Sequence, residues 1–243
     1  MRQTKTVNSR KMIVLFSKKY GKISAGTGIS EKGKGKSALA MRPFTFGRYE
    51  LYKNRDIYNI NSAETIHSFY ALGEDIDKYM YASYILEFTD KLLAEGKAAP
   101  GLFALLLEYF EVMSERKREY ETLILAFQAK ALSLMGVMPV MDSCAACGRN
   151  LPAVAFSVPD GGTICAECRN NIAQDFNVSL LFDLDFDIVD ILKFFIKSPL
   201  KSLEKITLKE EIQWSLAQIM REYCKYHLDI INLKRESFLK LYR

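Results

Sequence analysis

The sequence predicts an α+β protein: a small β-barrel at the N-terminal end, then an α-helical bundle with a four-cysteine insertion. Three observations predict this. The first sixty residues gather β-branched and aromatic residues into short runs separated by turn signals. From about Ser62 onward, apolar residues recur at helical spacing instead. Within that helical part lies "CAACGRNLPAVAFSVPDGGTICAEC" (144–168), which holds four of the five cysteines. The expected domains are therefore 1–62 and 63–243, with a metal-binding insertion at 142–170.

The elements follow in order. "KMIVLFS" is strand-like, "KKYGK" turns at Gly21, and "ISAGTGI" is the next strand. A Gly/Lys loop, "SEKGKGK", leads to "SALAMRPFTFGRYELYKN" and "DIYNIN", both read as strands. Four or five strands in so few residues suit a small barrel. The first helix carries Tyr81, Ile85, Phe88 and Leu92, with Asp75 as its cap and Gly96 at its end. Pro100 opens the second, which lines up Leu102, Leu105, Leu106, Tyr109 and Met113. The third holds Tyr120, Ile124, Phe127, Ala131 and Leu134 and stops at Gly136, before Pro139. After the cysteines, "DIVDILKFFIK" is a short helix ended by Ser198-Pro199. Thr207 and Glu210 form a capping box for a long helix that buries Ile212, Leu216, Ile219 and Tyr223. These stripes read as bundle core.

A chain of 243 residues, 49% hydrophobic and 26% charged, has ordinary globular composition and ample length for a buried core. No apolar run approaches the ~18–20 residues that a membrane span needs. "MIVLF" is too short for a signal-peptide core. The expected home is the cytoplasm, where thiols stay reduced and paired cysteines more often hold metal than form disulfides.

Charge is segregated. Residues 1–55 carry 14 Lys and Arg against two acids, Glu31 and Glu50, a net of +12; the remaining 20 Lys and Arg face 27 acids, a net of −7. Such asymmetry points to a polyanion partner for the barrel end. The candidate phosphate-contacting residues are Arg10, Lys11, Lys18, Lys19, Lys22, Lys32, Lys34 and Lys36, with Arg42 and Arg48 next. Tyr20, Phe44, Phe46, Tyr49 and Tyr52 are interleaved with them, and outward-facing rings among these are base-stacking candidates.

Cys144, Cys147, Cys165 and Cys168 fit C-x2-C-x17-C-x2-C, a zinc-site spacing. Two intervening residues let both thiolates of a pair reach one tetrahedral ion at about 2.3 Å. Val154, Phe156 and Val158 alternate, "PDGG" (159–162) turns, and Thr163-Ile164 returns the chain, so a hairpin brings the pairs together. Four thiolates leave no open position for water or substrate, so one Zn2+ here is structural.

Catalytic signatures are weak. "SEKGKGKS" imitates a phosphate-binding loop, but the frame ending at Ser37 needs glycine where Ser30 stands, and the segment after it reads as strand rather than helix. The two histidines, His67 and His227, have no triad partners in view, and Cys224 with His227 makes at most a weak metal pair. Trp214 lies beside the apolar face of the last long helix and reads as core or interface. A nuclease or nucleotidyltransferase would need acidic metal clamps that the sequence does not display, so no enzymatic activity is expected. The competing reading is a zinc-stabilised protein–protein interaction module whose basic barrel is incidental.

Several stretches together resemble the bacterial RecO family of DNA repair proteins. They are "MIVLFSKKYGKISA" (12–25), "KS" (36–37) followed by "RPF" (42–44), and "YELYKNRDIYNINSAE" (49–64). Further on come "LSLMGVMPVMDSCAACG" (132–148), "GGTICAEC" (161–168) and "YHLDIINLKRESFL" (226–239). The resemblance implies an N-terminal OB-fold, a helical domain and a zinc-binding insertion. It implies a recombination mediator that binds single- and double-stranded DNA and anneals complementary strands. The implied partners are RecR, the C-terminal tail of the single-strand-binding protein (SSB) and, indirectly, the recombinase RecA, in the cytoplasm at the nucleoid. Two departures stand out. The family's barrel opens with an extra strand that this chain lacks or shortens, and the loop after Gly28 uses lysine and glycine where relatives carry arginines. Lysine contacts there act as point charges rather than bidentate forks.

Overall fold

The β-rich opening of the chain folds into a five-stranded sheet in the computed structural model, which describes residues 2–5, 11–30, 32–33, 35–172, 180–184, 187–203, 206–234, 236 and 239. Strands β1 (Arg2–Lys5), β2 (Lys11–Ser17), β3 (Gly21–Thr27), β4 (Thr45–Asn54) and β5 (Ile57–Ser68) lie in the order β1-β2-β3-β5-β4. All neighbours are antiparallel except β3 and β5, which pair parallel through Ala25 with Tyr58 and Gly26 with Asn59. The sheet therefore has a first strand, a short one. Among the described residues no ladder joins β1 to β4, so the sheet is open where a closed barrel was expected. Strand β5 runs past Ser62 to Ser68.

One face of this sheet is apolar because alternate residues point the same way. Ile13, Ala25, Ile60 and Ala63 form its core, with Leu15, Tyr49 and Leu51 packed alongside. Ala40 and Met41 cover it from a short helix, α1 (Lys36–Ala40), and the turn after it. A strand was expected at "SALA". Helix wins because alanine and leucine favour it and because the turn seats Ala38 and Ala40 in the core.

The chain divides into two compact units, 1–116 and 117–243. In the first, α2 (Ile76–Leu92) and α3 (Pro100–Glu115) accompany the sheet. Asp75 caps α2 by accepting from the amides of Asp77 and Lys78 at 2.9 and 3.1 Å. Pro100 occupies the first turn of α3, as its fixed φ and missing N–H allow. Edge-to-face rings bind the layers: Phe103 meets Phe16 and Phe46, and Phe110 meets Phe44.

The second unit is built on α4 (Tyr120–Leu134). It is buried on every side from Thr122 to Ala129, so it is a central helix rather than an amphipathic one. Helices α6 (Ile188–Lys197) and α7 (Glu210–Leu228) pack on it. Lys130 Nζ donates to the Ile196 carbonyl at 2.9 Å. The expected capping box is not formed: α7 starts at Glu210 itself, with Lys209 at the cap position and no side-chain cap bond. Glu210 is thus in the first turn, too early to reach back. Trp214 on α7 is 58% exposed and so is not core.

Candidate metal centre and nucleic-acid interface

The cysteine module grows from a hairpin of two three-residue strands, β6 (Ala155–Ser157) and β7 (Gly162–Ile164). Gly161 makes the turn with a φ of 77°. Gly162 lets the chain pass so close to Val140 that an added Cβ would sit 2.3 Å from the Val140 carbonyl oxygen. That passage is pinned by Val140 N–H to Gly161 O at 3.0 Å and Thr163 N–H to Val140 O at 2.9 Å. The first cysteine pair folds back on itself through Gly148 N–H to Cys144 O, 2.8 Å, with Gly148 at a φ of 73°. The second pair straddles the start of α5 (Ala166–Ile172).

All four Sγ atoms lie within 4.8 Å of one another. A tetrahedral thiolate site with bonds of about 2.3 Å has sulfur–sulfur edges of about 3.8 Å, and the Cys147–Cys165 separation is 4.0 Å. The donor set fits a four-coordinate metal ion. It is also partly prepared for ionisation. Burial pushes the Cys144 thiol up, but the amides of Cys165, Cys147 and Ala146 and the Cys147 side chain outweigh it, and its pKa falls below the ordinary thiol value. Arg149 donates Nε–H to Cys147 Sγ at 3.3 Å and lowers that thiol. Burial, then the neighbouring thiols, raises Cys168 to about 12.

The sequence pattern located these four residues but not their surroundings. A third strand, β8 (Leu181–Asp183), pairs with β6. Asp183 on it accepts two bonds from Arg169, at 2.8 and 3.0 Å, and Glu167 accepts one from Arg149. The alternation in "LLFDLDFD" is the signal that could have found β8. With both arginines paired to carboxylates, the module offers no open cationic cluster to phosphate. His227 makes no metal pair with Cys224: its Nε2 lies 2.6 Å from the Val158 carbonyl, while Cys224 is buried.

The basic candidates are sorted by their neighbours. Lys18, Lys19, Lys32 and Lys36 are exposed, with no carboxylate in ion-pair range among the described residues. Arg48 is exposed and stands 3.9 Å from Glu64. Lys11 and Arg42 are half-buried. Lys22 differs from these: it is half-buried, its ammonium 3.4 Å from Asp90 Oδ1 and donating to the Asp90 carbonyl at 2.7 Å. Arg10 and Lys34 lie outside the described residues. Of the aromatic candidates, Phe44 is buried, Phe46 packs on Phe103, and Tyr49 donates its hydroxyl to Ala40 O at 2.6 Å. Tyr20 and Tyr52 remain exposed, and Tyr58, absent from the expected set, joins them. No helix of the described residues is long and apolar enough to cross a membrane.

Comparison with known proteins bears on the whole chain. The family model "Recombination protein O C terminal" matches residues 73–236, and "Recombination protein O N terminal" matches residues 1–69. The chain is similar to DNA repair protein RecO of Alkaliphilus metalliredigens, 28% identical over 99% of this chain and 96% of the relative. It is similar to DNA repair protein RecO of Pelotomaculum thermopropionicum, 29% identical over 94% and 86%. A third relative, DNA repair protein RecO of Bacillus mycoides, is 28% identical over 99% and 94%. With both halves of the sequence matched in order, the chain belongs to the Recombination protein O (RecO) family of DNA repair and recombination proteins.

Proposed function

We propose that this protein is a non-catalytic DNA repair and recombination mediator. It binds single- and double-stranded DNA on its basic first unit, promotes annealing and, with RecR, helps load RecA onto SSB-coated strands in the cytoplasm. The observation that carries this reading is the exposed set Lys18, Lys19, Lys32 and Lys36, none of them matched by a nearby carboxylate among the described residues. The sheet is taken as an OB-type barrel, a partly open five-stranded form used for oligonucleotides. Its strand order and its single parallel pair support that assignment. Each phosphate neutralised by a lysine releases counterions, so affinity falls steeply with salt. Two strands held on one cationic surface have their repulsion screened and their local concentration raised, which speeds annealing with no covalent step. One Zn2+ held by Cys144, Cys147, Cys165 and Cys168 staples the second unit without a reactive position.

The test is annealing of complementary oligonucleotides at graded salt, with and without SSB. Acceleration that fades as salt rises, and that persists on SSB-coated strands, is the expected result. Annealing no faster than the uncatalysed rate at low salt would sink the reading.

A further inference from the structure

We propose that Cys147 is an oxidation site: hydrogen peroxide attacks its sulfur, Cys165 closes a disulfide on it, and the metal centre opens. This rests on the reading of the four cysteines as a zinc site and adds a redox response to it.

The four cysteines are not equivalent. Cys144 and Cys165 are each 2% exposed, Cys168 is half-buried, and Cys147 alone of the four is exposed. A four-coordinate ion leaves no open position for substrate, but its ligands can still react. A coordinating thiol is deprotonated outright, so each ligand sulfur is a thiolate. An oxidant from solution therefore meets a nucleophilic sulfur first at Cys147. The turn after it is open as well, with Gly148, Arg149 and Asn150 all exposed. Arg149 donates Nε–H to Cys147 Sγ at 3.3 Å and pairs with Glu167. That cover is thin, because the two side chains are themselves 51% and 63% exposed. A molecule as small as peroxide passes it.

A second sulfur is in place to complete the reaction. Cys165 Sγ lies 4.0 Å from Cys147 Sγ, on the other cysteine pair. The Cys147 thiolate attacks one peroxide oxygen; the O–O bond breaks and hydroxide leaves, giving a sulfenic acid. The Cys165 thiolate then attacks Cys147 Sγ; the S–S bond forms, the S–O bond breaks and a second hydroxide leaves. Two thiolates lose two electrons, and peroxide is reduced to two hydroxide ions. Cys144 and Cys168 remain, too few to hold a four-coordinate ion. The module has little to replace it. Its core cluster is Cys144, Ala155, Ile164 and Cys165, two of them ligands, and α5 has no buried residue. The loss reaches α7, which meets the hairpin directly. The Tyr223 ring is 6.2 Å from that of Phe156, and His227 Nε2 is 2.6 Å from the Val158 carbonyl oxygen.

The experiment treats full-length, zinc-loaded protein with hydrogen peroxide and follows zinc release with a chromophoric chelator. Samples quenched with N-ethylmaleimide are mapped by peptide mass spectrometry. A Cys147–Cys165 disulfide should appear in step with zinc release, and a thiol reductant with added zinc should reverse both. Cys147→His keeps a ligand nitrogen but cannot form the disulfide, so it should retain zinc and release it about tenfold more slowly than wild type. Cys168→His should release zinc within about twofold of the wild-type rate. Should Cys147→His fail to hold zinc, the map of the wild-type protein decides alone. A different first disulfide, or equal slowing by both histidine variants, would overturn the oxidation site. So would zinc retained under peroxide that oxidises free cysteine in the same time, and the zinc reading would then stand. Wild-type protein carrying no zinc would remove both.

Discussion

Lys22 and Asp90 are joined twice: the ammonium reaches the Asp90 carboxylate at 3.4 Å and its main-chain carbonyl at 2.7 Å. The side chains are 17% and 15% exposed, so the pair lies between strand β3 and helix α2 with little access to water. Lys22→Ala should destabilise the protein by about 2 kcal/mol, because it strands a half-buried carboxylate. DNA affinity and its salt slope should stay as in wild type. A urea titration beside an anisotropy titration checks both halves, and a slope change without a stability change would return Lys22 to the DNA surface.

The loop lysines should behave in the opposite way. Lys32 and Lys36 are exposed, and Lys34 lies between them in sequence. Replacing all three with alanine should reduce the single-strand salt slope by about 2, at roughly 0.7 per phosphate contact. The melting temperature should not move. An unchanged slope would take this loop out of the interface.

Metal removal tests the cysteine module. Cys144→Ser with Cys147→Ser should abolish one equivalent of zinc by elemental analysis and lower the melting temperature, because the ion's binding energy is present only in the folded state. Wild-type protein free of zinc after purification without chelator would refute the assignment.

Tyr49 gives a pH signature. Its hydroxyl is bonded to Ala40 O at 2.6 Å, and burial pushes its pKa from 10.0 to about 12. The raised value means that the folded state holds this proton more tightly than the unfolded chain. The stabilisation is therefore complete below pH 10 and is lost as the pH climbs toward about 12. Tyr49→Phe should cost about 1 kcal/mol at neutral pH through the lost hydrogen bond and should flatten that alkaline loss. Urea midpoints measured across the range decide it.

How much was legible in advance varies residue by residue. The clustering of the four cysteines was plain, because two-residue spacing and a turn-forming "PDGG" are local features that bring two pairs together. Asp75 as a cap and Pro100 as a helix opener were equally local. The short helix at Lys36–Ala40 was missed because five residues carry too little periodicity to read. The strand β8 was missed because its local alternation is short and does not reveal its partner, β6, whose residues lie some 25 positions earlier in the chain.

Sequence alone determined the change from strands to helices along the chain, the segregation of positive charge into the first 55 residues and the two close cysteine pairs, because periodicity, composition and short spacings are carried by neighbours in the chain. Tertiary structure alone decided which charges are available. Lys22 and Lys19 look alike in the sequence, yet one is closed by Asp90 and the other is open. It also decided which rings face water, setting Tyr58 and Tyr52 on opposite faces of one hairpin. The physical reason is that a side chain's electrostatic surroundings come from residues brought near by folding, and Asp90 is 68 positions from the lysine it holds.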